Sequence, residues 1–244
     1  MENIVSVWKA PPTGIVLSEK EVHIWRSALD LPCECIRSLM EKLSLDEKGK
    51  AKRFRFDRDR KRFIAGVGIL RIILGRYLSV EPDELRFLHG KYGKPRVFDE
   101  FGNELIHFNM SHSEGLALYG FSRKHEIGVD IQRIQPIPEM DQIVESYFCA
   151  KEKEKYFSCS TESREEYFFK IWARKEAVLK ANGSGLLFPA ERLNVCDFLD
   201  ERKADLEETP FLIYDLGLMR GYSAAVAIVG IHEDSTGVNS SAET

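Results

Sequence analysis

Two charged side chains, Glu176 and Lys180, lie in a segment whose apolar residues recur with helical periodicity. An asparagine and two glycines follow residue 181, so we expect this helix to run from about residue 164 to residue 181. A spacing of four residues places the carboxylate and the ammonium one turn apart on a common face. Such a pair is most often a solvated ion pair worth roughly 0.3–0.5 kcal/mol. Other residues must therefore decide whether it does chemistry.

A second polar pair comes from the segment Ile127–Gln132, whose apolar and polar residues alternate. The alternation predicts a strand with Asp130 and Gln132 on one face and the aliphatic residues on the other. Taken by itself, Asp130 would more often be a strand-end or turn residue. Together with Glu176, however, these side chains would form a three-oxygen cluster suited to Mg²⁺, which usually also binds phosphate oxygens of a substrate.

The two segments together resemble the bipartite signature of the 4′-phosphopantetheinyl transferases. The first motif is Gly128-Val129-Asp130, and the second is Trp172-Ala-Arg-Lys-Glu-Ala-Val-Leu-Lys180. Two motifs at the expected separation are more specific than either alone. The resemblance covers residues 48 to 222 and is to the longer, pseudodimeric kind that includes the surfactin-synthetase-activating enzyme. It implies an α+β fold of two similar α/β subdomains, with the active site in the cleft between them.

The order of the predicted elements also indicates two similar halves. A long helix, a strand and a strand-turn-strand unit follow one another over residues 58–121 and again over residues 164–229, with no obvious repeat in the residues themselves. We therefore predict an N-terminal subdomain at 1–122 and a C-terminal subdomain at 123–231. Residues 193–195 are expected to form a strand, and the small polar residues of 232–244 predict a disordered tail.

The resemblance implies a reaction in which the 4′-phosphopantetheine arm of coenzyme A moves to a serine hydroxyl of an apo acyl or peptidyl carrier protein. Adenosine 3′,5′-bisphosphate is the other product. In this scheme Asp130 and Glu176 bind Mg²⁺ with diphosphate oxygens, and Glu176, or a metal-bound water beside it, takes the serine proton. Lys180 binds the diphosphate and stabilises the leaving group. The carrier protein supplies the nucleophile.

The family also implies residues that bind coenzyme A. These are Lys94 in a Gly-Lys-Pro loop, and Ser111 and His112 in a turn that would otherwise be read as ordinary capping. Lys50, Arg53 and Arg62 are assigned to the 3′-phosphate or the ribose side. They belong to the segment 48–62, which has nine basic residues and two acidic ones. By composition alone this segment is either a solvated face or a site for nucleotide phosphates, an acidic partner or nucleic acid.

One position departs from the family pattern. Many similar chains have glutamate two residues after the motif aspartate, where this chain has Gln132. An amide oxygen can bind Mg²⁺ but adds no charge, so Gln132 either binds the ion weakly or leaves the position to water. This substitution is the sequence feature that favours an alternative function, a non-catalytic module of the same fold that binds coenzyme A or a carrier protein.

Composition limits the remaining classes of function. The 244 residues include 43% hydrophobic ones and carry a net charge of −4, which argues against general nucleic-acid affinity. No apolar run is long enough to span a membrane, and the first residues do not form a secretory signal. Five cysteines without a C-x-x-C pair predict reduced thiols. We expect a cytoplasmic monomer, or one in an organelle matrix if a targeting peptide precedes this sequence.

Overall fold

The computed structural model describes residues 8–10, 12, 14–90, 92–183, 188–196, 203–206, 209–230 and 237–243. These residues form an α+β structure with two sheets, which confirms the predicted fold class. In the part of the chain described here, no helix has the combination of length and apolar character that crossing a bilayer requires.

The first half of the chain builds a sheet with helices on one side. Its elements are β1 (Glu21–Ala28), α1 (Cys33–Glu41), α2 (Leu45–Lys52), α3 (Asp57–Leu78), β2 (Leu88–His89), β3 (Pro95–Phe98), β4 (Glu104–Ser113) and β5 (Leu116–Ser122). Helix α3 has an apolar stripe of the kind the sequence predicted, and eleven of its residues are buried. Strand β5 pairs antiparallel with both β1 and β4.

The second half repeats this plan. Its elements are β6 (Ile127–Arg133), α4 (Met140–Tyr147), α5 (Ala150–Ser158), α6 (Thr161–Asn182), a 3₁₀ turn (Ala190–Arg192), β7 (Lys203–Leu206), β8 (Thr209–Asp215) and β9 (Tyr222–Val229). The strand order is β6-β9-β8-β7 here and β1-β5-β4-β3 in the corresponding part of the first sheet. The two halves therefore share one topology.

Three apolar cores hold the molecule together. One lies between α3 and the first sheet, and another lies between α6 and the second sheet. The third joins Ile24 and Leu118 of the first half to Val129, Ile131 and Val226 of the second. The aliphatic face of β6 thus packs against the other half, while the opposite face of the strand, with Gly128 and Asp130, turns towards α6.

Three predictions about local structure are wrong. Ser111 and His112, which were predicted in a turn, lie in strand β4 and pair with β5. The segment predicted to be a disordered tail contains β10 (Gly237–Glu243), which pairs in parallel with β1; residues 232–236 and 244 lie outside the described residues. The free edge of β1 offers backbone donors and acceptors that a polar segment can satisfy without apolar side chains. Residues 193–195 do not form a strand, because their backbone groups bind Lys175, Arg174 and Glu152 instead of a neighbouring strand.

Candidate functional site

Gly128 allows helix α6 to lie directly on strand β6. A Cβ atom at this position would come within 2.0 Å of the carbonyl oxygen of Ala177 and 2.4 Å of the backbone nitrogen of Ala181. Only glycine permits this approach, because any larger residue would push the helix backbone away. The close contact brings the last two turns of α6, which carry Glu176 and Lys180, beside Asp130 on β6.

Asp130 lies at the centre of the site and is 1% exposed. Its Oδ1 atom accepts hydrogen bonds from the Ser111 hydroxyl at 2.8 Å and from the Lys180 ammonium at 2.5 Å. The Lys180 ammonium also donates to Ser111 Oγ at 2.9 Å. The buried carboxylate is therefore paired with a cation from the second half and held by a hydroxyl from the first, as a buried charge requires.

A row of side chains on β4 fixes this strand against β6. Alternate residues of β4 use a side-chain oxygen to accept a backbone N–H of β6. The bonds are Val129 N–H to Asn109 Oδ1 (3.0 Å), Ile131 N–H to Ser111 Oγ (3.4 Å) and Arg133 N–H to Ser113 Oγ (2.9 Å). The constant offset sets the register between the strand that carries Ser111 and His112 and the strand that carries Asp130 and Gln132. The sequence places Asn109 and Ser113 in a segment that resembles coenzyme A contacts of the family but does not predict this positioning role.

Glu176 and Lys180 reach the site from successive turns of α6, as predicted. Burial and the negative charge of Asp130 raise the pKa of Glu176, while Lys180 opposes the shift. The charges of Asp130 on β6 and of Lys180, one turn further along α6, therefore both act on the Glu176 carboxyl. The Lys180 side chain keeps 27% of its surface exposed, so its ammonium can reach a ligand in solvent. A carboxylate with a raised pKa beside an exposed cation is suited to proton transfer.

His112 follows Ser111 on β4 and faces the opposite way, towards helix α3. Its pKa is lowered by burial and by the positive charges of Lys180 and Arg62, with Asp130 acting in the opposite direction. Arg62 donates two hydrogen bonds to Asp30 and one to Glu114. The positive charges of Lys180 and Arg62 thus both act on His112, although each of these cations is also paired with carboxylates, Lys180 with Asp130 and Arg62 with Asp30 and Glu114.

Lys94 lies elsewhere, at the C-terminal end of α6. Its ammonium donates to Glu126 Oε2 at 2.6 Å and to the carbonyl oxygens of Ile127 and Ala181, each at 3.1 Å. Burial lowers the pKa of Lys94, and the charge of Glu126 opposes this. All three acceptors are protein groups of the second half. The assignment of Lys94 to coenzyme A stays a prediction, and the structure adds a second role, that of a tie between the halves.

The remaining basic candidates lie on the surface of the first half. Lys50 is in the last turn of α2, Arg53 is the residue that caps this helix, and both side chains are exposed. Basic residues at a helix C-terminus are stabilised by the helix dipole, which is sufficient to explain their position without a ligand. Their assignment to the 3′-phosphate also stays a prediction.

A second cluster of possible metal ligands occurs near Lys94. Within the described residues, Glu104, His107 and Glu126 place ligand atoms within 4.8 Å of one another. However, Arg96 donates to both carboxylates and Lys94 donates to Glu126. Both acidic groups already have a cation, so the cluster is an ion-pair network. Asp130 is likewise paired with a cation, Lys180, so charge pairing alone does not distinguish the two sites.

Sequence reasoning missed the residue beside Glu176. Lys175 was expected to contribute only its aliphatic stem, but the whole side chain is 3% exposed and its ammonium pairs with Glu152, which is fully buried, at 2.8 Å. It also donates to the carbonyl oxygens of Ala190 at 2.7 Å and Leu193 at 2.5 Å. Glu152 is the third residue of α5 and accepts the backbone N–H of Cys149. The spacing of Cys149 and Glu152 is that of a capping box and could have revealed this pair.

Comparison with known proteins decides the family. Residues 126–227 match the model of the 4′-phosphopantetheinyl transferase superfamily, and residues 32–119 match that of the N-terminal region of 4′-phosphopantetheinyl transferases. The chain belongs to the 4′-phosphopantetheinyl transferases. The predicted resemblance is thereby confirmed, and so is the prediction that the chain is an enzyme that transfers a phosphopantetheine group.

Individual transferases give the same result. The chain is 40% identical over 179 residues to the 4′-phosphopantetheinyl transferase HetI of a Nostoc species, covering 73% of this chain and 76% of that one. It is 31% identical over 191 residues to the transferase ffp of Bacillus subtilis, with 77% and 83% covered. The transferase Sfp of Bacillus subtilis is 28% identical over 156 residues, with 64% and 67% covered. These similarities span both halves of the phosphopantetheinyl transferase described here.

Proposed function

We propose that this transferase moves the 4′-phosphopantetheine arm of coenzyme A to a serine hydroxyl of an apo acyl or peptidyl carrier protein, with release of adenosine 3′,5′-bisphosphate. One observation carries the proposal. The side chains of Asp130, Lys180 and Ser111 are hydrogen-bonded to one another where the two halves touch, and the charges of Asp130 and Lys180 act on both Glu176 and His112, so acidic and basic groups are grouped there. Phosphoryl transfer to a hydroxyl needs both kinds of group.

The donor set fits Mg²⁺, which the family implies as a cofactor. Asp130 and Glu176 are close enough for the charge of one to raise the pKa of the other, and carboxylate oxygens are preferred ligands of Mg²⁺. These two residues would hold the ion. When bound, it would neutralise charge on the diphosphate of coenzyme A.

Glu176 is the proposed general base. Its raised pKa makes its carboxylate a stronger proton acceptor than an exposed glutamate. Its position on α6 directs it towards the same side as Lys180, whose ammonium would bind the diphosphate and stabilise the charge that develops on the leaving phosphate. The base and the leaving-group cation are thus held one helical turn apart.

The phosphates of coenzyme A would lie beside His112, since the positive charges of Lys180 and Arg62 both act on its ring. Ser111 is 6% exposed and already bonded to Asp130, which favours an orienting role for this residue over a direct contact with the nucleotide. Arg62, Lys94, Arg53 and Lys50 complete the proposed set.

The partner is proposed to be a small acidic carrier protein, because the segment 48–62 offers a basic surface beside α3. A single chain provides both halves of the site, so we propose that the enzyme acts as a monomer, in the cytoplasm.

Mass spectrometry of an apo acyl carrier protein tests the proposal. The carrier is incubated with the enzyme, coenzyme A and MgCl₂, and we expect its mass to increase by that of one phosphopantetheine arm. EDTA should abolish the increase, and a carrier whose acceptor serine is replaced by alanine should not react. If apo acyl and peptidyl carriers all remain unmodified while coenzyme A still binds, the chain is a binding module that has kept the fold, and the proposal is wrong.

A further inference from the structure

We propose that Gln132 is a positioning residue that holds the Asp130 carboxylate with its amide group and is not a ligand of the metal ion. The inference rests on the proposed function and concerns the position at which this chain departs from the family pattern.

The hydrogen bonds of Asp130 carry the inference. Gln132 Nε2 donates to Asp130 Oδ2 at 2.8 Å, while the Ser111 hydroxyl and the Lys180 ammonium both donate to Oδ1. Each oxygen of this buried carboxylate therefore has a donor. The amide of Gln132 is the only one of the three that contacts Oδ2, so it fixes the rotation of the carboxylate about its last bond.

The orientation of the amide follows from electrostatics. If the Gln132 side chain were rotated to point its oxygen at Asp130, two acceptor atoms would face each other at hydrogen-bond distance in a buried site. That contact is repulsive, whereas the NH₂ group donates to the carboxylate. The amide oxygen, which would be the metal ligand, must then point away from the Asp130 oxygen beside it.

A glutamate in the same place could not perform this role. It has no proton to donate at neutral pH, so two carboxylates on the same face of β6 would repel each other unless a cation lay between them. With glutamine at position 132, the Asp130 carboxylate is hydrogen-bonded and oriented even when no metal ion is bound. The ion would then be held by Asp130 and Glu176, and the third position of the family pattern supports one of its ligands.

The test compares Gln132→Met and Gln132→Glu with the wild type. Methionine has nearly the shape of glutamine but can neither donate nor bind Mg²⁺. Gln142→Met, on an exposed position of α4, is the matched control. The measurements are the melting temperature in EDTA, its titration with MgCl₂ in the presence of saturating coenzyme A, and the steady-state kinetics.

For Gln132→Met we expect the melting temperature in EDTA to fall by about 4 °C, since a hydrogen bond to a charged group is lost. The MgCl₂ midpoint should stay within about threefold of wild type because both carboxylate ligands remain. The kcat should fall about tenfold at unchanged KM for coenzyme A, as expected when a catalytic group is less well oriented. Gln132→Glu should also melt lower in EDTA, but its MgCl₂ midpoint should fall about tenfold.

Two outcomes would overturn the inference. The first is a Gln132→Met midpoint at least tenfold higher with an unchanged melting temperature in EDTA, which would make Gln132 a ligand. The second is no change in either quantity, which would leave the amide without a role. If Gln132→Met does not fold, the inference is tested by NMR hydrogen exchange of the wild-type Gln132 side-chain amide. Its protons should exchange slowly with solvent in EDTA. Absence of transfer by the wild type would contradict the proposed function and leave these metal-free measurements valid.

Discussion

Helices α3 and α6 occupy the same place in the two halves and have 22 residues each. Each uses one buried cation to bind the elements around it. The fifteenth residue is Arg71 in α3 and Lys175 in α6, and both are buried cations. Arg71 binds Glu47, the third residue of α2, and two carbonyl groups that follow α3 in the chain. In the same way, Lys175 binds Glu152, the third residue of α5, and two carbonyl groups that follow α6. In both halves the glutamate also caps its own helix.

The helices differ at the next positions. The sixteenth residue is Ile72 in α3 and Glu176 in α6, and the twentieth is Arg76 in α3 and Lys180 in α6. Ile72 packs against the core of the first half, while Glu176 lies beside Asp130. The shared residue is therefore structural, and the residues that differ in α6 are the proposed catalytic pair. Within the second family motif, Lys175 supports the helix and its neighbour Glu176 is the proposed base.

The largest expected effect comes from replacing the cation at the twentieth position of α6 and of α3 with alanine. Lys180→Ala should lower kcat/KM for carrier modification on the order of 10³-fold, because the diphosphate and the leaving group lose their cation. Arg76→Ala is the matched control and should stay within about twofold, since among the described residues Arg76 donates to a backbone carbonyl of residue 12 and lies over the ring of Trp25. Steady-state kinetics checks both. Equal losses would mean that α3 also contributes to the site.

Removing the glutamate that pairs with the buried cation should destabilise either half. Glu152→Ala leaves Lys175 buried without its partner and should lower the free energy of unfolding by about 3–5 kcal/mol. Glu47→Ala should cost somewhat less, because Glu47 is 12% exposed whereas Glu152 is fully buried. Urea unfolding measures both. The double variant Glu152→Leu with Lys175→Met should regain most of the loss; failure to do so would show that the pair is needed for more than charge compensation.

The contact between the halves through Lys94 is expected to matter less. Lys94→Met removes three hydrogen bonds and should lower the free energy of unfolding by about 2 kcal/mol. The KM for coenzyme A should remain unchanged if the residue acts only as a tie. A tenfold rise in KM at unchanged stability would instead support the prediction that Lys94 binds the nucleotide.

The smallest effect concerns acid sensitivity. Burial alone would raise the pKa of Asp215, but hydrogen bonds and charge from Arg174 and then Lys170 hold it below the ordinary value. A lowered pKa adds stability above about pH 4, and that stability is lost as the pH falls through the folded-state value. The melting-temperature gap between wild type and Asp215→Asn should therefore close between about pH 4 and pH 2.

Asp30→Asn provides the matched variant in the first half. Arg62 lowers the pKa of Asp30 mainly through a hydrogen bond, but Asp30 is 58% exposed against 40% for Asp215, so solvent screens its pair more. We expect a smaller gap with the same sign. A larger gap for Asp30→Asn would mean that its links to Arg62 also hold β1 and α3 together.

The sequence was sufficient for those features that depend on periodicity. The alternation of β6 and the spacing of Glu176 and Lys180 predicted which side chains share a face, and the order of the predicted elements indicated the two halves. The pair of motifs was recognised by its resemblance to the family. The repeat of Arg71 and Lys175 was not predicted, because the two segments differ in residue type and agree only in helix position. The amide of Gln132 was considered only as a ligand, since the sequence does not reveal which neighbour a polar side chain meets.

The hydrogen bonds from Asn109, Ser111 and Ser113 also protect an exposed strand edge. Strand β6 is the outermost strand of its sheet, and these side chains occupy three of its outward N–H groups. Without the first half, this edge would be open to pairing with other chains, and its aliphatic face would lose its cover. The C-terminal half produced alone should consequently aggregate, so the duplicated topology does not make the halves separable.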